Sequence, residues 1–207
     1  MLTTLLYLMM AAQPQLVLEG AVDAVQVQSD QLKRYRDEGY LLNKRIDPAL
    51  LRNLLLWDDK NGQWQAPHPE SEPGRGARVR VLHLWADYCV PCRREFPWLR
   101  GIVRSAAAKY KGRVQYLFIA ENTASESMRV YLDAHKGQMP DTAYYQDTQG
   151  QLVEFLRPGL PSGGVSLPAT LLLDEQGVIR QVIVGPLAGP AERRPELLDA
   201  IERLLAL

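Results

Sequence analysis

Two cysteines, Cys89 and Cys92, are the residues of this chain whose spacing most clearly indicates chemistry. A disulfide across so short a loop adds little to folding stability, because the entropic gain grows with the length of the loop that it closes. A structural zinc site ordinarily needs four ligands, and the three histidines, His68, His83 and His135, stand singly along the chain. The pair therefore predicts thiol-disulfide exchange that uses no metal and no other cofactor.

The cysteines stand where a strand pattern runs into a helix pattern. Val79 to Trp85 is a near-continuous β-prone run, and Cys92 to Tyr110 has helical periodicity. The first turn of a helix presents unpaired backbone N–H groups and the positive end of the helix dipole, which favour a thiolate over a thiol. We therefore expect Cys89 to be the exposed nucleophile and Cys92, one turn deeper, to resolve the mixed disulfide, while Pro91 restrains the turn between them.

The run from Trp85 to Pro97, WADYCVPCRREFP, resembles the motif W-C-x-P-C-x-x-E-x-P of TlpA/ResA-type thiol-disulfide oxidoreductases of the thioredoxin superfamily. The resemblance covers Val79 to the C-terminus and implies a thioredoxin fold, an α/β architecture in which helices flank a central mixed sheet. It implies that Cys89 attacks, that Cys92 resolves and that Glu95 handles protons. It also implies disulfide-bearing client proteins such as apocytochrome c, a membrane or soluble thiol reductant, and a reducing role in the periplasm.

A second element of the resemblance is the segment Ser166-Leu167-Pro168-Ala169-Thr170. It is similar to the cis-proline loop that faces the cysteines in this fold, and a cis bond costs far less before proline than before other residues. A trans proline that merely opens a strand is the alternative. Five residues beside the cysteines and in this loop are predicted to bind substrate: Tyr88, Val90, Pro91, Leu167 and Pro168.

Two positions depart from the family pattern. Many thioredoxins carry a buried acid six residues before the first cysteine, where this chain has His83. In a strand, His83 shares a face with Val81 and Trp85, so it either tunes or relays protons for Cys92 or is a hydrogen-bonded core histidine. Tyr88 stands where the family usually has tryptophan, and we expect it to shield the site with a smaller ring.

The N-terminal residues 1–12 resemble a targeting segment. They are largely apolar, carry no charge and end in Ala11 and Ala12, which is typical of a signal peptide, although no Lys or Arg precedes the apolar stretch. The stretch is shorter than the roughly 20 residues that span a bilayer. We expect a periplasmic or otherwise exported protein. The alternatives are a misplaced start codon, a short membrane-associated helix or an ordinary buried helix, and the protein is cytoplasmic if the segment is not a signal.

The rest of the chain divides by composition into three parts. Residues 13–61 predict an N-terminal helical extension with two short amphipathic helices, the second capped by Asp47 and opened by Pro48. Residues 62–77 are rich in Pro and Gly and predict a linker. Residues 78–207 predict the thioredoxin-like domain, in which strands and helices alternate. Beyond the cysteine helix, the predicted elements are Val114 to Ala120, Ser125 to His135, Tyr144 to Gln146, Gln151 to Leu156, Thr170 to Asp174, Val178 to Val184 and Ala191 to Leu205.

The composition and the charge of the chain argue against some classes of function. The 24 basic and 24 acidic side chains balance, so nothing in the charge supports a nucleic-acid partner. Two rivals to an oxidoreductase remain: a redox-inert thioredoxin-fold module that binds peptides, and a copper or zinc carrier that uses Cys89, Cys92 and a histidine. A peroxidase is less well supported, because the Pro and Thr expected ahead of a lone peroxidatic cysteine are missing.

Overall fold

A computed structural model describes residues 40–66, 73–121, 123–156, 167–187 and 194–207. The predicted signal peptide, most of the predicted extension and residues 67–72 of the predicted linker lie outside the described residues. No helix in the described ranges is both long enough and apolar enough to cross a lipid bilayer. The elements are, in chain order, α1 (Pro48–Arg52), β1 (Leu55–Asp58), β2 (Gln63–Gln65), β3 (Val79–Trp85), α2 (Val90–Tyr110), β4 (Val114–Ala120), α3 (Ser125–His135), β5 (Tyr144–Gln146), α4 (Gln151–Leu156), β6 (Ala169–Asp174), β7 (Ile179–Val184) and α5 (Arg194–Leu205).

The strands of the described residues form one mixed sheet in the order β2-β1-β5-β4-β3-β6-β7. β3 runs parallel to β4 and antiparallel to β6, and β4 runs parallel to β5. β7 completes one edge, and β1 and β2 complete the other, all in antiparallel pairing. β3 is therefore an interior strand, and every one of its residues is buried. This explains why its sequence is mostly apolar instead of alternating with polar residues.

Helices cover both faces of the sheet. Val81 and Trp85 point from β3 into an apolar cluster that includes residues of α2, α3 and α5. Leu82 and Leu84 point the other way, into a cluster that includes residues of α1 and α4. The predicted class, a central mixed sheet flanked by helices, is confirmed.

The chain before residue 78 differs from the prediction. Leu55–Asp58, predicted within the helical extension, and Gln63–Gln65, predicted within the linker, form an antiparallel hairpin in which Trp57 lies opposite Trp64. β1 also pairs with β5, so the sheet includes strands that precede the predicted start of the domain. Residues 54–57 are all apolar, and so short an apolar run has no periodicity that would distinguish a strand from a helix.

Several local features lie where the sequence places them. Asp47 is the N-cap of α1: its side chain accepts a hydrogen bond from the Ala49 N–H at 2.8 Å, and Pro48 opens the helix. β6 and β7 form the predicted hairpin. Gly177 in its turn has φ of 80°, a left-handed conformation that glycine adopts without steric cost.

Candidate active site

Strand β3 leads directly into the cysteine pair. Its last residue, Trp85, is fully buried, and the chain turns at once, with the Cys89 N–H donating to the Ala86 carbonyl at 3.1 Å. Helix α2 then begins at Val90, and Cys89 is its N-cap residue. Because β3 is hydrogen-bonded to a strand on each side and the turn is short, the sheet sets the position of Cys89.

Cys89 and Cys92 form a disulfide with an S–S distance of 1.97 Å and a Cα–Cα distance of 5.3 Å. The Cys89 Sγ also accepts a hydrogen bond from the Cys92 N–H at 3.2 Å. Together with the helix dipole, this N–H stabilises negative charge on Cys89 once the disulfide opens. Cys89 is 7% exposed and Cys92 is fully buried. Cys89 is thus the more accessible sulfur, but it is less exposed than predicted because its side chain turns back over the first turn of α2.

The Leu167–Pro168 peptide bond is cis. The next residue, Ala169, lies opposite Leu84 of β3, and the Pro168 carbonyl accepts a hydrogen bond from the Gly185 N–H at 2.8 Å. Because β6 is antiparallel to β3, the start of β6 lies where β3 ends. The cis-proline segment and the turn that leads to Cys89 therefore lie at the same end of the sheet.

The cysteine pair is bordered by exposed side chains of mainly apolar character. Tyr88 is 66% exposed and Val90 is 43% exposed, and Pro91 is exposed as well. Leu167 is half-buried and packs against the apolar cluster that contains both cysteines. Of the five residues predicted to bind substrate, Tyr88, Val90 and Pro91 are thus exposed and Leu167 is half-buried, whereas Pro168 is buried.

A buried polar cluster lies between β3 and α2. The His83 Nε2 is 3.2 Å from the Glu95 Oε1, and both side chains are 1% exposed. The other carboxylate oxygen of Glu95 accepts a hydrogen bond from the Leu187 N–H at 2.7 Å. The His83 Nδ1 lies 3.0 Å from the Thr170 Oγ1. Two residues that the sequence singles out separately are therefore direct neighbours in the fold.

The curated proteins to which the chain is similar include two from Bacillus subtilis (strain 168), while no family model matches the chain. The chain is 27% identical over 114 residues to the thioredoxin-like protein YneN, covering 55% of this chain and 60% of that protein. It is 22% identical over 117 residues to the sporulation thiol-disulfide oxidoreductase A, covering 56% of this chain and 65% of that protein. The matches span less than two thirds of the length of either relative.

A solved structure extends the comparison to the fold. The thioredoxin-related protein from Neisseria meningitidis serogroup B matches with a TM-score of 0.55 and 26% identity, covering 74% of this chain and 99% of that chain. This chain has a thioredoxin fold. Its cysteine motif and its curated relatives make it similar to the TlpA/ResA-like thiol-disulfide oxidoreductases.

The cysteine motif contains three of the residues of this site, but it does not contain Thr170. Cys89, Cys92 and Glu95 lie on the first turns of α2, as the motif requires. The sequence does not indicate that Thr170 is a partner of His83. The two residues lie directly opposite each other in the pairing of β3 with β6, and that register is known only from the structure.

The described histidines and acidic side chains bear on the alternative of a metal carrier. Among the described residues, no three His, Cys, Asp or Glu side chains cluster in a way that could hold a metal ion. The two ring nitrogens of His83 face Glu95 and Thr170, and the Nδ1 of His135 contacts the Tyr131 carbonyl at 2.9 Å. His68 lies outside the described residues.

Replacing Glu121 with glutamine should lower the pKa of Tyr88. Partial desolvation raises the pKa of the Tyr88 hydroxyl above its usual 10.0. The Glu121 carboxylate accepts a hydrogen bond from this hydroxyl, with 3.3 Å between the two oxygens, and its negative charge raises the pKa further. The substitution removes the second contribution only, so Tyr88 should ionise at a lower pH than in the wild type. NMR titration of tyrosines labelled with ¹³C at Cζ measures this shift.

Tyr131 is the internal control for that titration, because burial raises its pKa to about 12 independently of Glu121. Its midpoint should stay in place in the Glu121→Gln variant. A Tyr88 midpoint that also stays in place would contradict the contact with Glu121.

Proposed function

We propose that this chain is a thiol-disulfide oxidoreductase that exchanges disulfides with protein clients through Cys89 and Cys92. The observation that carries the proposal is a bonded cysteine pair at the N-terminus of a helix, with the more accessible sulfur at the N-cap. That position favours the thiolate of Cys89, and the thiolate is the form that attacks a disulfide. The buried Cys92 is placed within bonding distance for the second step.

The proposed reaction is two consecutive exchanges. The reduced Cys89 thiolate attacks one sulfur of a client disulfide, forms a mixed disulfide and releases the other client sulfur as a thiolate. Cys92 then loses its proton and attacks the Cys89 sulfur, which forms the Cys89–Cys92 bond and releases the second client thiolate. The client gains two electrons and the protein loses two, and a thiol reductant later restores the dithiol.

Client binding is proposed for the apolar border of the disulfide. Tyr88, Val90 and Pro91 present exposed surface next to the cysteines. Leu167 and the cis Pro168 lie at the same end of the sheet. The Pro168 carbonyl is already bonded to the Gly185 N–H, so we assign the pairing with an extended client to the backbone of Leu167.

The proposed setting is an exported compartment in which the protein acts as a reductant. The support is the apolar, uncharged composition of residues 1–12 and the TlpA/ResA-like motif. A reductant in an oxidising compartment needs a supply of electrons, from a membrane-bound or soluble thiol donor. Apocytochrome c, whose cysteines must be reduced before haem attachment, is the client class that this setting favours.

Equilibration with mixtures of reduced and oxidised glutathione should show one reversible two-electron transition. Alkylation of the thiols at each ratio, followed by mass measurement, counts how many of the two cysteines are reduced. We expect both to become reduced together, because they share one bond. The Cys89→Ala and Cys92→Ala variants are the controls, and neither should show the joint transition.

The glutathione equilibration and an elemental analysis together separate the rival functions. A redox-inert peptide-binding module would show no reversible transition at any glutathione ratio. A copper or zinc carrier would be isolated with metal in a stoichiometric amount, which elemental analysis of the purified protein detects. Either result would overturn the proposed exchange activity.

A further inference from the structure

A groove of about 610 Å³ lies between helices α2 and α5, and neither cysteine lines it. Its volume falls in the range that is typical of clefts that bind ligands. Side chains from both helices give it a mainly apolar lining. The apolar side chains that the argument uses are Pro97, Trp98 and Ile102 of α2 and Leu198 of α5.

The middle of α2 carries a glycine where it borders this groove. Gly101 lies inside a helix of 21 residues, where glycine is less favourable than alanine. A Cβ atom built at Gly101 would meet no atom within 4 Å, so packing among the described residues does not require a glycine there. Trp98 and Leu198 are only partly buried. The groove therefore has room for an apolar group that the described part of the chain does not supply.

The two helices are joined where α2 approaches its C-terminal end. Lys109 forms an ion pair with Glu202, and the Tyr110 hydroxyl donates to the same Glu202 oxygen at 2.7 Å. Both charged residues line the groove, and their opposite charges offset each other. The groove therefore favours an occupant that is apolar and carries no net charge at this end.

The groove continues the client-binding border along one face of α2. Pro91, Arg94, Trp98 and Gly101 follow one another at steps of three or four residues, and residues at that spacing share a helix face. Pro91 borders the disulfide, and Arg94 and Gly101 are exposed as well. This face thus leads from the proposed client site, past the cation of Arg94, into the groove.

The length of the helix sets the distance between the two sites. An α-helix rises 1.5 Å per residue, so Trp98 and Ser105, which both line the groove, lie about 14 and 24 Å along α2 from Cys89. An extended chain advances about 3.3–3.4 Å per residue. An extended client that is bound at the disulfide therefore reaches the groove with side chains about four to seven residues from its attacked cysteine.

We propose that the groove is a second binding site for the client, which takes a large apolar side chain located about four to seven residues from the attacked cysteine. The inference rests on the proposed exchange function. Arg94 lies between the two sites, so an acidic client residue between the cysteine and the apolar side chain adds to binding. The covalent step is unchanged: the Cys89 thiolate attacks the client sulfur, and the other sulfur leaves as a thiolate.

The experiment measures how fast the reduced full chain reacts with synthetic peptides. Each peptide is polar and holds one cysteine in a mixed disulfide with thionitrobenzoate. Attack by Cys89 on the peptide sulfur bonds the peptide to Cys89 and releases the thionitrobenzoate thiolate, which is followed by its absorbance. The peptides carry leucine or serine about six residues before or after the cysteine, within the span derived above. At peptide concentrations below saturation, leucine on one of the two sides should raise the second-order rate constant about tenfold over serine.

Filling the groove should remove this advantage. In Gly101→Leu, the new side chain enters open space, and the rate constant of the leucine peptide should fall to that of the serine peptide. Ala107→Leu is the matched control, because Ala107 is also an exposed small residue of α2 but does not line the groove. This control should keep the tenfold advantage. Leu198→Ala, which removes part of the groove wall, should reduce the advantage and decides the question if Gly101→Leu does not fold.

The charge of Arg94 is tested with the same peptides. An aspartate about three residues from the cysteine, on the side where leucine is effective, should raise the wild-type rate constant about twofold, as is typical of an exposed ion pair. Arg94→Gln should abolish this gain, and so should high salt. A gain of the same size in Arg94→Gln would overturn the proposed path along α2.

Three further results would overturn the proposal. One is equal rate constants of the leucine and serine peptides with the wild-type protein, and another is a full leucine advantage in folded Gly101→Leu. The third is a dimer in analytical ultracentrifugation that Gly101→Leu abolishes, because the groove would then hold a second copy of the chain. Failure of the proposed exchange function has a different signature, since no peptide would then release thionitrobenzoate.

Discussion

Replacing Cys92 with serine should turn the protein into a covalent trap for its clients and abolish turnover. Cys89 keeps its place at the N-cap of α2, so its thiolate still attacks a client disulfide. The mixed disulfide then persists, because the variant lacks the Cys92 sulfur that normally releases the client. In the wild type, the Cα atoms of the two cysteines are 5.3 Å apart, which allows the two sulfurs to bond. Non-reducing electrophoresis of extracts from cells that express the variant measures the trapped species, and mass spectrometry identifies the clients.

The matched control for the trap is Cys89→Ser. It retains the buried Cys92, which a client cannot reach, so it should capture no client. The trapped species of Cys92→Ser should disappear on treatment with dithiothreitol and should map to Cys89. Capture of the same clients by both variants would show that the exchange does not proceed through the N-cap sulfur.

The strands and helices of the domain follow closely from the sequence because their signals are local. Val79–Trp85 and Val114–Ala120 are apolar runs bounded by turn residues, and both form strands with the predicted limits. β1 and β2 did not follow from the sequence, because Leu55–Asp58 and Gln63–Gln65 are too short to carry a period. Their strand state depends on pairing with each other and with β5, which is information that no local window contains.

The same distinction applies to the site. Cys92 and Glu95 fall within one helix and Cys89 is its N-cap residue, so their proximity follows from spacing alone. The contact of Thr170 with His83 depends on the register of two strands that are far apart in sequence. The Leu187 N–H, which holds the Glu95 carboxylate, belongs to a loop after β7 and makes its contact through the main chain, so its side-chain type carries no signal.

The cysteine helix depends for its position on Phe96, one turn beyond Cys92. The Phe96 ring is 1% exposed and packs edge-on against Trp85 at 5.0 Å between centroids and against Phe118 at 5.9 Å. Tyr131 of α3 completes this aromatic group. The ring thus joins α2 to β3, β4 and α3 directly beneath the disulfide turn. Edge-to-face pairs of this kind stabilise a core beyond the burial of apolar area alone.

Phe96→Ala should lower the free energy of unfolding of the oxidised protein by about 3–5 kcal/mol, because it removes a fully buried ring and leaves a cavity. Urea unfolding followed by circular dichroism measures the loss. Val130→Ala is the matched control: Val130 is also apolar and helical but is 56% exposed, so its change should stay within about 0.5 kcal/mol. Phe96→Leu, which refills part of the cavity, should fall between the two. Equal effects of Phe96→Ala and Val130→Ala would mean that α2 is held to the sheet by contacts other than this ring.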